Sequence, residues 1–348
     1  MDAVAPRGQR QTRDASTCAE MLLLRDGVWD FGVLGDQVRL RVEGPPVSVS
    51  LGRMVFTPAL DVHAQYDIVL RTTGRAPGRL SRVPRPRYRP EREGDRILLP
   101  GGSVWLSRKS PQAEVHHPRT DSSQGRFVTT MLMEFALAHA AAWNGHYVVH
   151  AAAVEMGARR WLVSAPSRHG KSTLAAAVLA CGGRLVSDDS VVIGRDTEGR
   201  IVAGALRKDL SLRRGSLELL PDALRRKLCL CPSALESRWV LAREHCDRFL
   251  LVSAPEGGLV WRRDRRRRRF VLERLNQAET MAHWIGAGSP LFVSRPSPVR
   301  GPLLELLAEF AGRSVGLRVT MGRGLLERPC EVLCDLDRAF AKLSCMGV

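Results

Sequence analysis

From Cys18 to about Ser107 the chain alternates short apolar runs with turn formers: Val38, Leu40 and Val42 alternate with Gln37, Arg39 and Arg41 ahead of Gly44-Pro45-Pro46. A period of two sends one face of a strand into a core and the other into water, so this stretch predicts β-structure. The spacing changes at Phe127. From there to Trp143 the run FVTTMLMEFALAHAAAW carries apolar residues three and four apart, the pattern of a mostly buried helix. Next, Tyr147 to Glu155 and Arg160 to Ser164 are apolar runs on either side of Gly157, which predict two strands joined by a tight turn. Residues 161–182 (WLVSAPSRHGKSTLAAAVLACG) then read as a strand, a polar loop and an Ala/Leu-rich helix closed by Gly182-Gly183. Arg184 to Ser187 and Val191 to Ile193 predict two more strands, separated by Asp188-Asp189.

At 348 residues the chain has room for about two domains. Residues 1–17 are polar and aperiodic and predict a loose tail. Residues 18–124 predict a β-rich accessory domain, and residues 125–348 an α/β core. Residues 75–95 (RAPGRLSRVPRPRYRPEREGD) predict an extended surface excursion, either a solvated loop or an arm for polyanions.

Hydrophobic residues at 44% and charged ones at 26% are ordinary globular values, which excludes wholesale disorder, collagen-like repeats and coiled-coil rods. Charge is the departure: 53 Lys and Arg against 36 Asp and Glu give +17, a field that attracts polyanions. Only five of those cations are lysines, at 109, 171, 208, 227 and 342, so each Lys stands out against an Arg-writing background. No run reaches the ~18 apolar residues of a membrane span, nor the h-region of a signal peptide, and the expectation is a cytoplasmic protein with no membrane partner. The eight cysteines show no C-x-x-C pair and no His at zinc-finger spacing, which predicts buried thiols in place of a metal site.

The chemistry concentrates in the loop Ala165, Pro166, Ser167, Arg168, His169, Gly170, Lys171, Ser172, Thr173. A strand running through such a loop into a helix is the context of a phosphate-binding loop. A helix beginning near Gly170 points unpaired N–H groups and its positive dipole end at the loop mouth. Gly170 lets backbone approach closely, Lys171 brings a compact charge on a flexible stem, and the Ser172 hydroxyl can ligate Mg²⁺. The pattern G-x-x-x-x-G-K-[ST] has Ala165 in place of its first Gly. Arg168 and His169 read equally as phosphate contacts or as solvent-facing loop residues. Asp188 and Asp189 lie just after a strand, seventeen residues beyond Lys171. Alone they read as an acidic turn; behind a phosphate loop they suit phosphoryl transfer, one carboxylate holding Mg²⁺ and the other taking the proton of an attacking hydroxyl.

Taken together, HAAAV from His150, APSRHGKSTL and LVSDDSVVI resemble the C-terminal kinase domain of the HPr kinase/phosphorylase family, whose nucleotide site is similar to that of phosphoenolpyruvate carboxykinases. The resemblance implies a P-loop-containing core behind a β-rich N-terminal domain, with ATP and Mg²⁺ as cofactors. It implies that Lys171 and the loop backbone bind phosphates, that Ser172 and Asp189 serve Mg²⁺, that Asp188 is the base toward a seryl hydroxyl and that His150 lines the site; a satisfied core histidine is the other reading of His150. Weaker similarity extends to Leu206–Leu212, where relatives have a strand and a basic residue (here Lys208, which reads more readily as a surface Lys than as a ligand contact), and to Leu272–Ala282, the start of a late helix. Ala165 and Arg168 replace family glycines, and the Gly/Arg/Asn-rich segment tied to phosphorolysis and HPr handling is missing, so HPr is not the implied acceptor. Divergent relatives look like stand-alone serine kinases of biosynthetic clusters, including ones acting on precursor peptides of ribosomally made products such as lasso peptides. Family members are oligomers, so a homo-oligomer is within what the resemblance allows.

Arg262 to Arg269, interrupted by Asp264, lies between Val260-Trp261 and Phe270-Val271-Leu272, which predicts the tip of a β-hairpin. The run is either a solvated tip or a surface for nucleic acid or an acidic peptide. With aromatics at 5% and none interleaved, nucleic acid is the less favoured partner. Two function classes follow: a kinase acting on a hydroxyl of a protein or peptide, or a P-loop nucleotide-binding regulator or nucleic-acid partner without transfer chemistry.

Overall fold

The computed structural model describes residues 22–24, 26–33, 36–49, 65–74, 84–157, 159–166, 169–196, 198–206, 210–213, 217, 220, 222–228, 230–232, 238–241, 252–253, 255, 257–264, 266, 269–288 and 297–345. The expected tail 1–17, residues 75–83 of the expected excursion, Ser167, Arg168 and Lys208 lie outside the described residues. Alternation in the N-terminal part builds a seven-stranded sheet, in the order Gly27–Val33, Asp36–Glu43, Gln65–Thr72, Gln112–His117, Gly102–Ser107, Gly94–Leu99, Arg87–Pro90. Arg87–Pro90 and Gly94–Leu99 pair antiparallel, so the second half of the Pro- and Arg-rich excursion is a sheet-edge hairpin. The inward residues Val38, Leu40, Val42, Tyr66, Ile68, Leu70, Val104 and Val115 are all at most 1% exposed. Each such burial contributes roughly 1.5–3 kcal/mol.

Helix α1 (Ser123–Trp143) covers that sheet. Ser122 caps it by accepting from the Gly125 N–H at 3.0 Å. Its apolar residues belong to one hydrophobic cluster that runs from the N-terminal sheet through α1 to Tyr147, Val149, Ala151, Ala153 and Leu162. After α1 the chain forms strand Tyr147–Val149, then β1 (Ala151–Met156), β2 (Arg159–Ser164), α2 (Lys171–Ala180) and β3 (Arg184–Ser187). Later come β4 (Gly257–Arg263), β5 (Val271–Arg274), α3 (Gln277–Ala287), α4 (Arg300–Arg313), β6 (Val315–Met321) and α5 (Pro329–Cys345).

The six central strands form one sheet in the order β3-β1-β2-β4-β6-β5. β2, β4 and β6 run parallel; β1 is antiparallel to both β2 and β3, so β3 points the same way as β2. Both faces are covered, as a largely parallel sheet requires. Ala151, Ala153 and Leu162 face the cluster shared with α1, α3 and α4, whereas Ala152, Val154, Trp161 and Val163 face α2 and α5. Tyr147–Val149 joins a different, four-stranded sheet with Val191–Arg195, Ile201–Ala205 and Val252–Ser253. The single long strand expected from Tyr147 to Glu155 is therefore two, and the chain changes sheets at His150.

Three more differences concern pairing, a helix start and a disulfide. β4 and β5 do not pair; each flanks β6, parallel on one side and antiparallel on the other. The connection between them therefore passes the end of β6, where the Asp264 N–H meets the Met321 carbonyl, and is not a hairpin tip; Arg265, Arg267 and Arg268 of the run lie outside the described residues. Leu272 begins no helix: Val271–Arg274 is a strand, and the helix starts after Asn276, whose side chain and Glu279 form a reciprocal capping box. Cys181 and Cys330, expected as thiols, form a disulfide with Cα atoms 5.4 Å apart. It ties the C-cap of α2 to the first turn of α5.

Candidate functional site

The carboxyl ends of β2 and β3 and the amino end of the antiparallel β1 meet at one rim of the central sheet. Register fixes this: Ala151 pairs with Ser164, and Ala153 with both Leu162 and Ser187. His150, Ala165 and Asp188, each the next residue outward, therefore share the rim. Of the sequence-derived site residues, the structure brings Lys171, His150, Ala165, Asp188 and Asp189 into mutual range.

Gly170 precedes α2 with φ 96° and ψ 19°, a left-handed conformation that turns the loop into the helix. A Cβ placed on it would stand 3.7 Å from the indole nitrogen of Trp261, an ordinary contact, so backbone conformation and not crowding makes glycine fit here. Trp261, 1% exposed on β4, packs beneath this turn. No spacing in the sequence signals it, because β4 lies some ninety residues further along. The Leu174 N–H returns to the Gly170 carbonyl at 2.9 Å, and the His169 N–H to the Pro166 carbonyl at 3.2 Å. α2 has neither a side-chain cap nor an acidic residue in its first turn, where Lys171, Ser172 and Thr173 stand. Its far end closes on Gly182 at φ 89°, with the Gly183 N–H on the Val178 carbonyl at 2.8 Å, the Schellman arrangement the paired glycines predict.

Lys171 is 7% exposed. Its ammonium donates to His150 Nε2 at 2.7 Å and lies 3.4 Å from the Ala165 carbonyl oxygen. Burial pushes the Lys171 pKa down, while the nearby Asp189 and Asp188 carboxylates oppose that shift. The other ring nitrogen, His150 Nδ1, stands 3.1 Å from Asp189 Oδ1. Because Nε2 accepts from the ammonium, the ring proton belongs on Nδ1 and points at the carboxylate. Lys171, His150 and Asp189 thus form one hydrogen-bonded chain, with the imidazole half exposed at its middle.

His150 is anchored from behind by its own N–H, which donates to the Ala287 carbonyl at the end of α3 at 2.8 Å. Asp188 is 1% exposed. The bend that turns it inward is set by Ser187, whose hydroxyl accepts from the Asp189 and Ser190 N–H groups at 3.5 and 3.4 Å. Chemically, the rim offers uncapped helix-start donors and an ammonium facing two acids, one buried and one reachable from water. Among the described residues no three His, Cys, Asp or Glu side chains gather as a metal-binding group, and no helix is long and apolar enough to cross a membrane.

No protein-family model matches the chain, and no curated protein matches it. Among solved structures, the HPr(Ser) kinase/phosphatase from Coxiella burnetii aligns with 56% of this chain and 98% of its own, at 10% identity and a TM-score of 0.29. A likeness at that level assigns neither fold nor function.

Proposed function

We propose that the protein is an ATP- and Mg²⁺-dependent, HPr kinase-like enzyme that transfers a phosphoryl group to a serine-type hydroxyl of a protein or peptide, such as a precursor peptide of a biosynthetic cluster. The observation that carries this reading is the convergence at one rim of the Lys171 ammonium, His150, Asp189 and buried Asp188, directly at the uncapped start of α2. ATP with Mg²⁺, bound at this rim, would supply the phosphoryl group and neutralise its charge. The amides of Gly170 and of the first turn of α2 would orient the outer phosphates, and α2 has no side-chain cap to compete for those donors. Lys171 presents its charge to the same oxygens. Mg²⁺ needs only one or two protein oxygens beside phosphate and water. Ser172 and Asp189 fit that demand, and a three-residue cluster is not required. Asp188 takes the proton of the acceptor hydroxyl as the new O–P bond forms and the bond from γ-phosphorus to the bridging oxygen breaks, its electron pair staying on that oxygen. His150 holds Lys171 and Asp189 at a fixed spacing, so positioning and charge do most of the work.

The competing class, a nucleotide-binding regulator, would use the same loop and have no need of Asp188. Asp188→Asn separates the two. ATP affinity by calorimetry should stay within about threefold while transfer of labelled phosphate to seryl peptides falls by at least ~10²-fold. Undiminished transfer in the variant removes Asp188 as the base, and a wild-type protein that binds no ATP removes the whole reading.

A further inference from the structure

The Arg-rich bridge leaves the sheet at the same rim as the candidate site. Val260 of β4 pairs with Ser164 of β2, so Arg262 stands two residues beyond the rim, on the strand adjacent to the one that leads into the loop before α2. Arg262, Arg266 and Arg269 are exposed. The run holds seven arginines against Asp264, and that carboxylate is engaged locally, accepting from the Arg266 N–H at 2.9 Å. The Asp264 N–H donates to the Met321 carbonyl at 2.9 Å, which pins the bridge to the end of β6.

On the α3 side of the sheet the neighbouring charges are partly accounted for. Arg318 of β6 pairs with Glu273 at 2.6 Å, and His283 of α3 has a buried Nε2 with no hydrogen-bond partner. Burial, then Arg318 and Arg262, push the His283 pKa down, which places the Arg262 guanidinium on the α3 side of the sheet. The backbone at Asp264 is held at the end of β6, so the exposed Arg262 and Arg266 stand beside the rim that carries Lys171.

We propose that Arg262, Arg266 and Arg269 form the docking edge for the acceptor, and that the acceptor is a peptide segment carrying carboxylates at a set distance from its phosphorylated hydroxyl. This rests on the kinase reading above. The distance follows from register. Ser187 is level with Gly258 through Ala153 and Leu162, so Arg262 lies three residues further along than Asp188 and three strands across. Strand spacings of about 4.8 Å and a rise of about 3.3 Å per residue put the two Cα atoms roughly 17 Å apart, about five residues of extended chain. Acidic residues four to six positions from the hydroxyl are therefore the ones served. An acidic peptide is favoured over nucleic acid because, of the two aromatics that flank the run, Trp261 is buried under Gly170 and Phe270 packs partly buried against the core, so neither is presented as a stacking platform for bases.

The test uses the full chain and fluorescein-labelled ten-residue peptides with one Ser and two Glu placed either four to six positions away or adjacent, plus a Gln version. Anisotropy without nucleotide should show the distal-Glu peptide binding about tenfold more tightly than the Gln peptide. The triple variant Arg262→Gln/Arg266→Gln/Arg269→Gln should lose that preference while its ATP affinity and thermal midpoint stay at wild-type values. Equal affinity for the distal-Glu and Gln peptides, equal affinity for distal and adjacent Glu, or a preference that survives in the triple variant overturns the proposal. So does a single-stranded oligonucleotide of matched charge binding more tightly than the peptide. Arg-dependent binding of the distal-Glu peptide without any phosphorylation upholds the docking edge and overturns the kinase reading instead.

Discussion

Acidification should destabilise this fold through one imidazole. His139 lies in α1, 5% exposed against the N-terminal sheet. The Trp143 indole N–H points at its Nε2 at 3.2 Å, and the Tyr66 hydroxyl is in hydrogen-bonding contact with Nδ1. With Nε2 accepting from Trp143, a second ring proton would have to be placed facing an N–H group. Burial pushes the pKa from 6.5 to about 3, only partly offset by a hydrogen bond to the Ser107 backbone. The folded pKa lies below the unfolded one, so the unfolded chain takes up a proton first. The neutral ring's contribution is whole above about pH 6.5 and is lost as pH falls toward 3. At about 1.4 kcal/mol per pH unit, roughly 2 kcal/mol is gone by pH 5 and at most about 5 kcal/mol near pH 3. Urea unfolding at pH 7.5 and 5.0, for wild type and His139→Gln, isolates this term from His117 and His283, which burial also depresses. The variant should lose about 2 kcal/mol less than wild type between the two pH values. Parallel losses in both proteins would refute the assignment.

Two further outcomes are expected. The Cys181–Cys330 disulfide closes a loop of 149 residues, for which chain entropy allows up to about 5 kcal/mol; a reducing agent should lower the urea midpoint of the wild type and leave that of Cys181→Ser/Cys330→Ser unchanged. Burial depresses Lys171, so the unfolded state binds more protons between the folded pKa and 10.5. Stability should therefore rise with pH in that window, and Lys171→Met should flatten the rise while abolishing ATP binding in calorimetry.

What the residues determined by themselves is local. The strand, polar loop and helix of 161–182 are written in contiguous residues, because a helix satisfies its hydrogen bonds four residues away and its ends depend on neighbours such as Gly170, Gly182 and Gly183. The buried helix ending at Trp143 and the strand before Asp188 are legible for the same reason. The sheet decided the rest. Nothing near His150 marks the point where the chain leaves one sheet for another, since both halves read as one apolar run. Only the pairing of antiparallel β1 between β2 and β3 brings His150, Lys171 and both aspartates to one rim. The pairing of β4 and β5 with β6 likewise turned an expected hairpin into a bridge, and α2 meets Cys330 only through packing. Strand register, disulfide partners and the indole beneath Gly170 depend on contacts between residues far apart in sequence, where local pattern carries no information about which segment will be the neighbour.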